Sequence, residues 1–243
     1  HVRGFFKPLI EAGAEVRPYN PPAWTAGIGL FSRNHRKSLI IDEHTAFVSG
    51  LCISAAWNGK PAKGIEAWRD TGLALQGPIV QDVLAAFEDT LISQGGTMPP
   101  LKRYENEDAM PAGSTRARVL ATTPANINTM RLDLNIIGLA TQNLWITDAY
   151  FMPTRMYVQA LINAAKAGVD VRILVPRTSD IKWIGTVSRT QYRSLLDAGV
   201  RVFEWDGTMI HAKTALVDGR WARVGSTNLN FSSWYANREL DIS

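Results

Sequence analysis

Cysteine is almost missing from this chain. Cys52 stands alone among 243 residues, so no disulfide forms within it and cysteine usage leaves the redox compartment open. Long apolar runs are missing as well: none reaches the ~18 consecutive residues that a membrane-spanning helix requires. Charge of one sign is scarce. The 26 basic and 22 acidic side chains leave a net charge of +4, which is compatible with an anionic lipid partner but too small to argue for a nucleic acid. His, Cys, Asp and Glu do not cluster at metal-ligand spacings, so neither a metal nor another cofactor is expected. The 46% hydrophobic content is ordinary for a globular protein, and the length suffices for a substantial core in one or two domains.

Against these absences stands a duplicated pattern, His-x-Lys-x4-Asp. The first copy is His35, Lys37 and Asp42 and the second His211, Lys213 and Asp218, followed by Gly50 and Gly225 respectively. Apolar runs within each copy (Leu39, Ile40, Ile41 and Ala215, Leu216, Val217) read as buried strands, where residues two apart share a face. Each His therefore projects beside its Lys. Burying an ammonium next to an imidazole is costly unless an anion pairs with it. The combination suits a phosphate: Lys supplies charge and donors, and His supplies a nucleophile when neutral or an acid when protonated. One copy alone would be weak grounds for chemistry; two copies in corresponding places point to one composite site.

The repeat extends beyond the motifs. Leu9-Ile-Glu-Ala-Gly13 precedes the first copy and Leu195-Leu-Asp-Ala-Gly199 the second, each reading as a helix end, a glycine cap and a following strand. A carboxylate follows each copy, Asp70 in Trp68-Arg-Asp-Thr and Glu239 in Asn237-Arg-Glu-Leu. A carboxylate on one imidazole nitrogen fixes the tautomer and raises basicity. Asp70 and Glu239 are accordingly expected to orient the histidine of their own half.

Periodicity and turn signals place a strand at 71–76 and an amphipathic helix at 79–93, with Ile79, Val80, Val83, Leu84, Phe87 and Leu91 on its apolar side. Residues 95–117, rich in Pro, Gly and clustered charge, read as a linker between a first half (1–94) and a second (118–243). The second half alternates strand (118–122), helix (128–141), strand (144–148), helix (154–167), strand (169–175), helix (188–198) and strand (200–205) before its motif. Such alternation indicates an α/β sandwich. The first half begins almost at its Leu-Ile-Glu-Ala-Gly element, so its opening βαβα portion is expected to come from a further segment or from a partner chain. Of the eight tryptophans, Trp24 and Trp183 lie in loops flanking the motifs and are candidates for lipid contact, the others being expected in core or site walls.

These runs, together with Gln76-Gly-Pro78, Thr147-Asp-Ala-Tyr-Phe-Met-Pro153, Ala167-Gly-Val-Asp-Val-Arg-Ile-Leu-Val-Pro176 and Gly225-Ser-Thr-Asn228, resemble the phospholipase D superfamily, and within it the bacterial cardiolipin synthases and their relatives. The resemblance covers nearly the whole chain; the paired motifs are specific for the superfamily and much less so for substrate. It implies two pseudo-twofold-related α/β sandwich halves and a phosphatidyltransferase that acts on a phospholipid such as phosphatidylglycerol at the bacterial inner membrane, in peripheral contact. In the implied mechanism, His35 attacks phosphorus to give a phosphohistidine and His211 protonates the departing alcohol. Lys37, Lys213, Asp42 and Asp218 complete the catalytic set, and Ser226 and Asn228 bind phosphate oxygens. The first copy departs from the pattern at Cys52, which stands where similar proteins carry Asn, and a thiol is the weaker donor. A superfamily nuclease and a noncatalytic lipid-binding protein are the competing readings. The small positive charge gives the nuclease little support, and intact motifs argue against the noncatalytic protein.

Overall fold

The structure is a computed structural model that describes residues 2–21, 32–98, 112–124 and 126–243. Trp24 and most of the 95–117 linker lie outside the described residues. The first half contains the short helices α1 (Val2–Phe5) and α2 (Lys7–Glu11), strands β1 (Ser38–Ile41) and β2 (Thr45–Ser49), the one-turn helix α3 (Ala55–Asn58), strand β3 (Gly72–Gln76) and helix α4 (Ile79–Ser93). β1, β2 and β3 form a three-stranded antiparallel sheet. α4 has the bounds its periodicity predicts and buries Val80, Val83, Leu84, Ala86 and Thr90. Phe87 departs from the expected stripe and stays solvent-exposed, because burial of Ala86 and Thr90 turns the packed face away from it.

The second half runs β4 (Val119–Thr122), α5 (Asn128–Leu139), β5 (Asn143–Thr147), α6 (Arg155–Lys166), β6 (Asp170–Pro176), α7 (Lys182–Asp197), β7 (Arg201–Trp205), β8 (Thr214–Val217), β9 (Trp221–Gly225) and β10 (Glu239–Ile242). Its seven strands are ordered β4-β10-β9-β8-β5-β6-β7. β5, β6 and β7 are parallel, and the other pairs are antiparallel. Alternation of buried and half-buried residues along β6 marks one face packed into the core. That core gathers Leu144, Ile146, Tyr157, Leu161, Val171, Ile173, Leu195 and Trp234.

Two expectations are corrected. Residues 14–18 form no strand, although Gly13 caps α2 at φ 91° as Gly199 caps α7 at the same angle. β7 is held by its ladder with β6, and no such neighbour exists for 14–18 among the described residues. α7 begins at Lys182, not near 188, despite the Gly185 and β-branched residues that weaken its local helical signal.

The halves share a core. Ala46 and Val48 of β2 and Val80, Val83 and Ala86 of α4 pack with Leu240 and Ile242 of β10. Beside this seam, Arg223 of β9 is 1% exposed and donates to Asp133 of α5 (3.1 Å) and to Asp241 of β10 (3.0 Å). Such a buried ionic group fixes register, since losing one partner leaves uncompensated charge in the interior.

Candidate active site

Both motifs lie just outside the strands they lead into, at the end of the sheet where β5 and β6 finish. Thr214, which opens β8, pairs with Thr147, which closes β5. In open α/β sheets this carboxyl edge is where ligands bind.

The decisive geometry is an exchange between halves. Asn34 forms a parallel bridge with Arg238, and Arg69 forms the matching bridge with Ile210. The amide of His35 donates to the carbonyl of Arg238 (2.9 Å), and the amide of His211 donates to the carbonyl of Arg69 (2.6 Å). Each histidine is thus laced beside the carboxylate of the other half. His35 Nδ1 lies 2.7 Å from Glu239 Oε2, and His211 Nδ1 lies 3.0 Å from Asp70 Oδ2. The expectation that each carboxylate orients its own half's histidine is therefore corrected: the parallel bridges, which the one-dimensional repeat does not encode, carry Asp70 to His211 and Glu239 to His35. Gly50 permits the approach, because a Cβ there would sit 2.6 Å from Asp70 Oδ1.

The two sites differ in what surrounds them. The His211 side chain is 5% exposed and that of His35 is 25% exposed. The His211 ring is walled by Trp57, Trp68 and Tyr150, with centroids 5.0, 5.8 and 5.7 Å away. Lys213 Nζ lies within 3.0 Å of both His211 ring nitrogens and donates to the His211 carbonyl. Burial lowers the His211 pKa, the Asp70 hydrogen bond opposes that fall, and the Lys213 charge adds to it. Among the described residues none bonds His35 Nε2, which leaves that nitrogen available.

Lys213 is 1% exposed, and desolvation pulls its pKa down to about 8 against the attraction of Asp70 and Asp148. Lys37, whose Nζ donates to the His35 carbonyl (2.7 Å), is also lowered by burial, with Glu239 opposing. The charge of Lys37 reaches both His211 and Lys213. The motifs thus share one electrostatic neighbourhood, two partly desolvated ammonium groups flanking two imidazoles. Such an arrangement is suited to hold an anion, a phosphoryl group included.

The carboxylates are held in place. Desolvation raises Asp70, but hydrogen bonds from His211 and Trp57 and the Lys213 charge outweigh it and leave the pKa below the usual value. Trp57 Nε1 donates to Asp70 Oδ2 (2.9 Å), and the Thr71 amide donates to Oδ1 (2.8 Å). Burial likewise raises Glu239, while His35, Ser226 and Ser233 lower it to a net depressed value.

The remaining expected site residues separate. Ser226 Oγ donates to Glu239 Oε2 (2.6 Å) and accepts from the Leu240 amide (2.9 Å), so it positions a carboxylate and is not open to phosphate. Asn228 is buried with an unpartnered Oδ1. The motif aspartates leave the catalytic set, since a whole strand separates each from its lysine. Asp218 sits in the turn after β8 at φ 52° and accepts from the amides of Thr141, Gln142 and Asn143 at 2.8–2.9 Å. Asp42 occupies the equivalent exposed turn at φ 51°. Both adopt the left-handed conformation that Asp tolerates better than most residues.

Three contributors were not singled out from sequence. Asp148 is buried, accepts from the amides of Leu229 and Tyr150, and is pushed up to about 6 by desolvation against those bonds and the Lys213 charge. It braces the Ser226–Asn230 turn beneath the site; a lone acid closing the apolar strand β5 was its signal. Trp57 grips Asp70. Arg36, between His35 and Lys37, points away and donates to the carbonyls of Ala86 (2.5 Å), Thr122 (2.8 Å) and Glu239 (3.2 Å) and to the Thr90 hydroxyl (2.9 Å). Among the described residues no group of three or more His, Cys, Asp or Glu could hold a metal ion.

Residues 134–243 match the family described as cardiolipin synthase, PLD-like domain. Over 98% of its length the chain is 32% identical to a cardiolipin synthase of Halalkalibacterium halodurans, and it covers 48% of that protein. It is similarly 32% identical to cardiolipin synthase 2 of Bacillus anthracis, covering 47% of it. The chain therefore spans about half the length of the curated relatives it matches. Among solved structures, phosphatidylserine synthase of Haemophilus influenzae superposes with a TM-score of 0.61 at 17% identity, over 87% of this chain and 58% of that one. At that identity the likeness shows a shared fold.

Proposed function

Because the chain belongs to the phospholipase D superfamily, we propose that it is the catalytic part of a phosphatidyltransferase that exchanges the alcohol on a phospholipid phosphodiester, the product being cardiolipin when phosphatidylglycerol supplies both donor and acceptor. The observation that carries this reading is the reciprocal pairing of His35 with Glu239 and His211 with Asp70, which makes one oriented pair of imidazoles from two halves.

His35 is the nucleophile. Glu239 on Nδ1 leaves the Nε2 lone pair to attack phosphorus, forming an N–P bond as the P–O bond to the leaving alcohol breaks. His211 gives that alcohol its proton. Burial keeps His211 neutral in the resting site, so an entering anionic phosphate must raise its pKa and load the proton it will donate. An incoming hydroxyl then returns its proton to His211 and displaces His35. Lys37 and Lys213 stabilise the charge on the phosphoryl oxygens. The protein works in peripheral contact with the bacterial inner membrane; among the described residues no helix is long and apolar enough to cross it.

Full-length protein incubated with phosphatidylglycerol should yield cardiolipin and glycerol, and added primary alcohols should divert the phosphatidyl group to new esters. Cleavage of single-stranded DNA without any exchange of lipid alcohol would replace this reading with the nuclease.

A further inference from the structure

Around the His211 wall, three loops meet at Tyr150. Its hydroxyl donates to Asp180 (2.9 Å), its carbonyl accepts from Asn230 Nδ2 (3.3 Å), and Trp57 flanks the same imidazole. Near these anchors large apolar side chains are turned to solvent: Ile53, ahead of α3, is 97% exposed, Trp183, in the first turn of α7, 60%, and Phe231, next to Asn230, 64%. Leu51 is exposed as well. Single exposed apolar residues are unremarkable, but several in segments that adjoin the His211 wall mark an interaction surface. Its charge identifies the partner. Lys60 and Lys63, in the same loop as Ile53, are exposed and form no ion pair with any described residue. Apolar side chains mixed with free lysines match the headgroup zone of an anionic leaflet, where apolar groups enter the acyl boundary and ammonium groups meet phosphate.

We propose that Leu51, Ile53, Lys60, Lys63, Trp183 and Phe231 form the seat on which the protein rests on an anionic bilayer, bringing the lipid phosphodiester to the histidine pair. The proposal rests on the phospholipid reading of the site and adds the surface and the leaflet charge it selects. A lipid phosphodiester lies at the membrane surface, so an enzyme that attacks it without extracting the lipid must have its opening flush with that surface. The aromatic residues suit this position because an indole or phenyl ring partitions into the interface with little loss of freedom.

The test measures partition of the protein onto vesicles of phosphatidylglycerol mixed with phosphatidylcholine, and onto pure phosphatidylcholine vesicles. Ile53→Asp should weaken binding to the mixed vesicles on the order of tenfold. Lys60→Ala and Lys63→Ala should each weaken it about fivefold, with the lysine effects vanishing on phosphatidylcholine or in high salt. Turnover of a short-chain, monomeric phosphodiester should be unchanged in all three variants, which also shows that they are folded. Unchanged vesicle partition in the variants, no binding by the parent protein, or loss of single-stranded DNA binding in place of vesicle binding would each overturn the proposal. If the variants lose vesicle binding while the parent turns over no phosphodiester, the seat stands and the enzymatic reading falls.

Discussion

Replacing Asp70 by Asn probes the exchange of carboxylates between halves most directly. Asp70 and His211 have side chains 4% and 5% exposed and are bonded at 3.0 Å, so their interaction is little screened. Asn keeps the shape and removes the charge. A hydrogen bond to a charged group is worth about 1.5–3 kcal/mol, and a pKa unit corresponds to about 1.36 kcal/mol. The His211 pKa, already lowered by burial, should therefore drop further. The fall has this sign because a carboxylate stabilises imidazolium and an amide does not. The chain has four histidines, which makes their ring resonances separable in an ¹⁵N-histidine pH titration. The variant should move the His211 resonances and leave those of His35 in place, whereas Glu239→Gln should do the reverse. Turnover should fall on the order of 10²–10⁴, the range for disabling a general acid or its orienting partner. A response of His35 to Asp70→Asn, with His211 unmoved, would refute the cross-half pairing.

Other outcomes follow from the same geometry. Trp57→Phe, which keeps the wall beside His211 but removes the donor to Asp70, should lower kcat about tenfold with little change in KM; a change confined to KM would contradict the positioning role. Binding of inorganic phosphate should take up a proton near neutral pH as His211 becomes charged, read by calorimetry in buffers of different ionisation enthalpy, and equal heats in all buffers would count against it. Activity should decline as pH rises through about 8, where Lys213 loses its charge. Stability should move the other way: the folded pKa is below the unfolded value of about 10.4, so the unfolded chain binds more protons between the two and the fold gains stability as pH rises through that window. Lys213→Met should accordingly abolish turnover without lowering the urea midpoint at pH 7. Arg36→Ala removes the guanidinium's bonds to the carbonyls of Ala86, Thr122 and Glu239, of which Ala86 keeps the Thr90 hydroxyl, and should cost about 2–4 kcal/mol in urea unfolding, although Arg36 lies inside the first motif.

Much of this molecule was legible in its sequence because local and global signals agree. α4 follows its apolar period to the residue, and β5, α6 and β6 lie within a residue of their expected bounds. The duplicated His-x-Lys pattern named both imidazoles and both amines, since a strand period of two puts each pair on one face. What the repeat could not convey was which half serves which. Asp70 and Glu239 stand at symmetric places, and symmetric text is equally compatible with internal and crossed pairing; only the bridges at Arg69 and Arg238 break the tie. Asp42 and Asp218 misled for a related reason. Their fixed spacing from the histidines reflects the length of one strand and the turn that ends it, and Asp218 shows the conformational work done there. The family resemblance puts Ser226 on substrate, but the buried Glu239 beside it claims its hydroxyl first.

The carboxylate exchange also acts as an interlock. A half that folds alone, or docks out of register, carries a histidine with no carboxylate behind it, and so an imidazole whose tautomer nothing fixes. Both imidazoles are oriented only when both bridges close, which ties the arrangement of the site to completed assembly. It also couples the two copies physically: a substitution that repositions Asp70 is felt at His211.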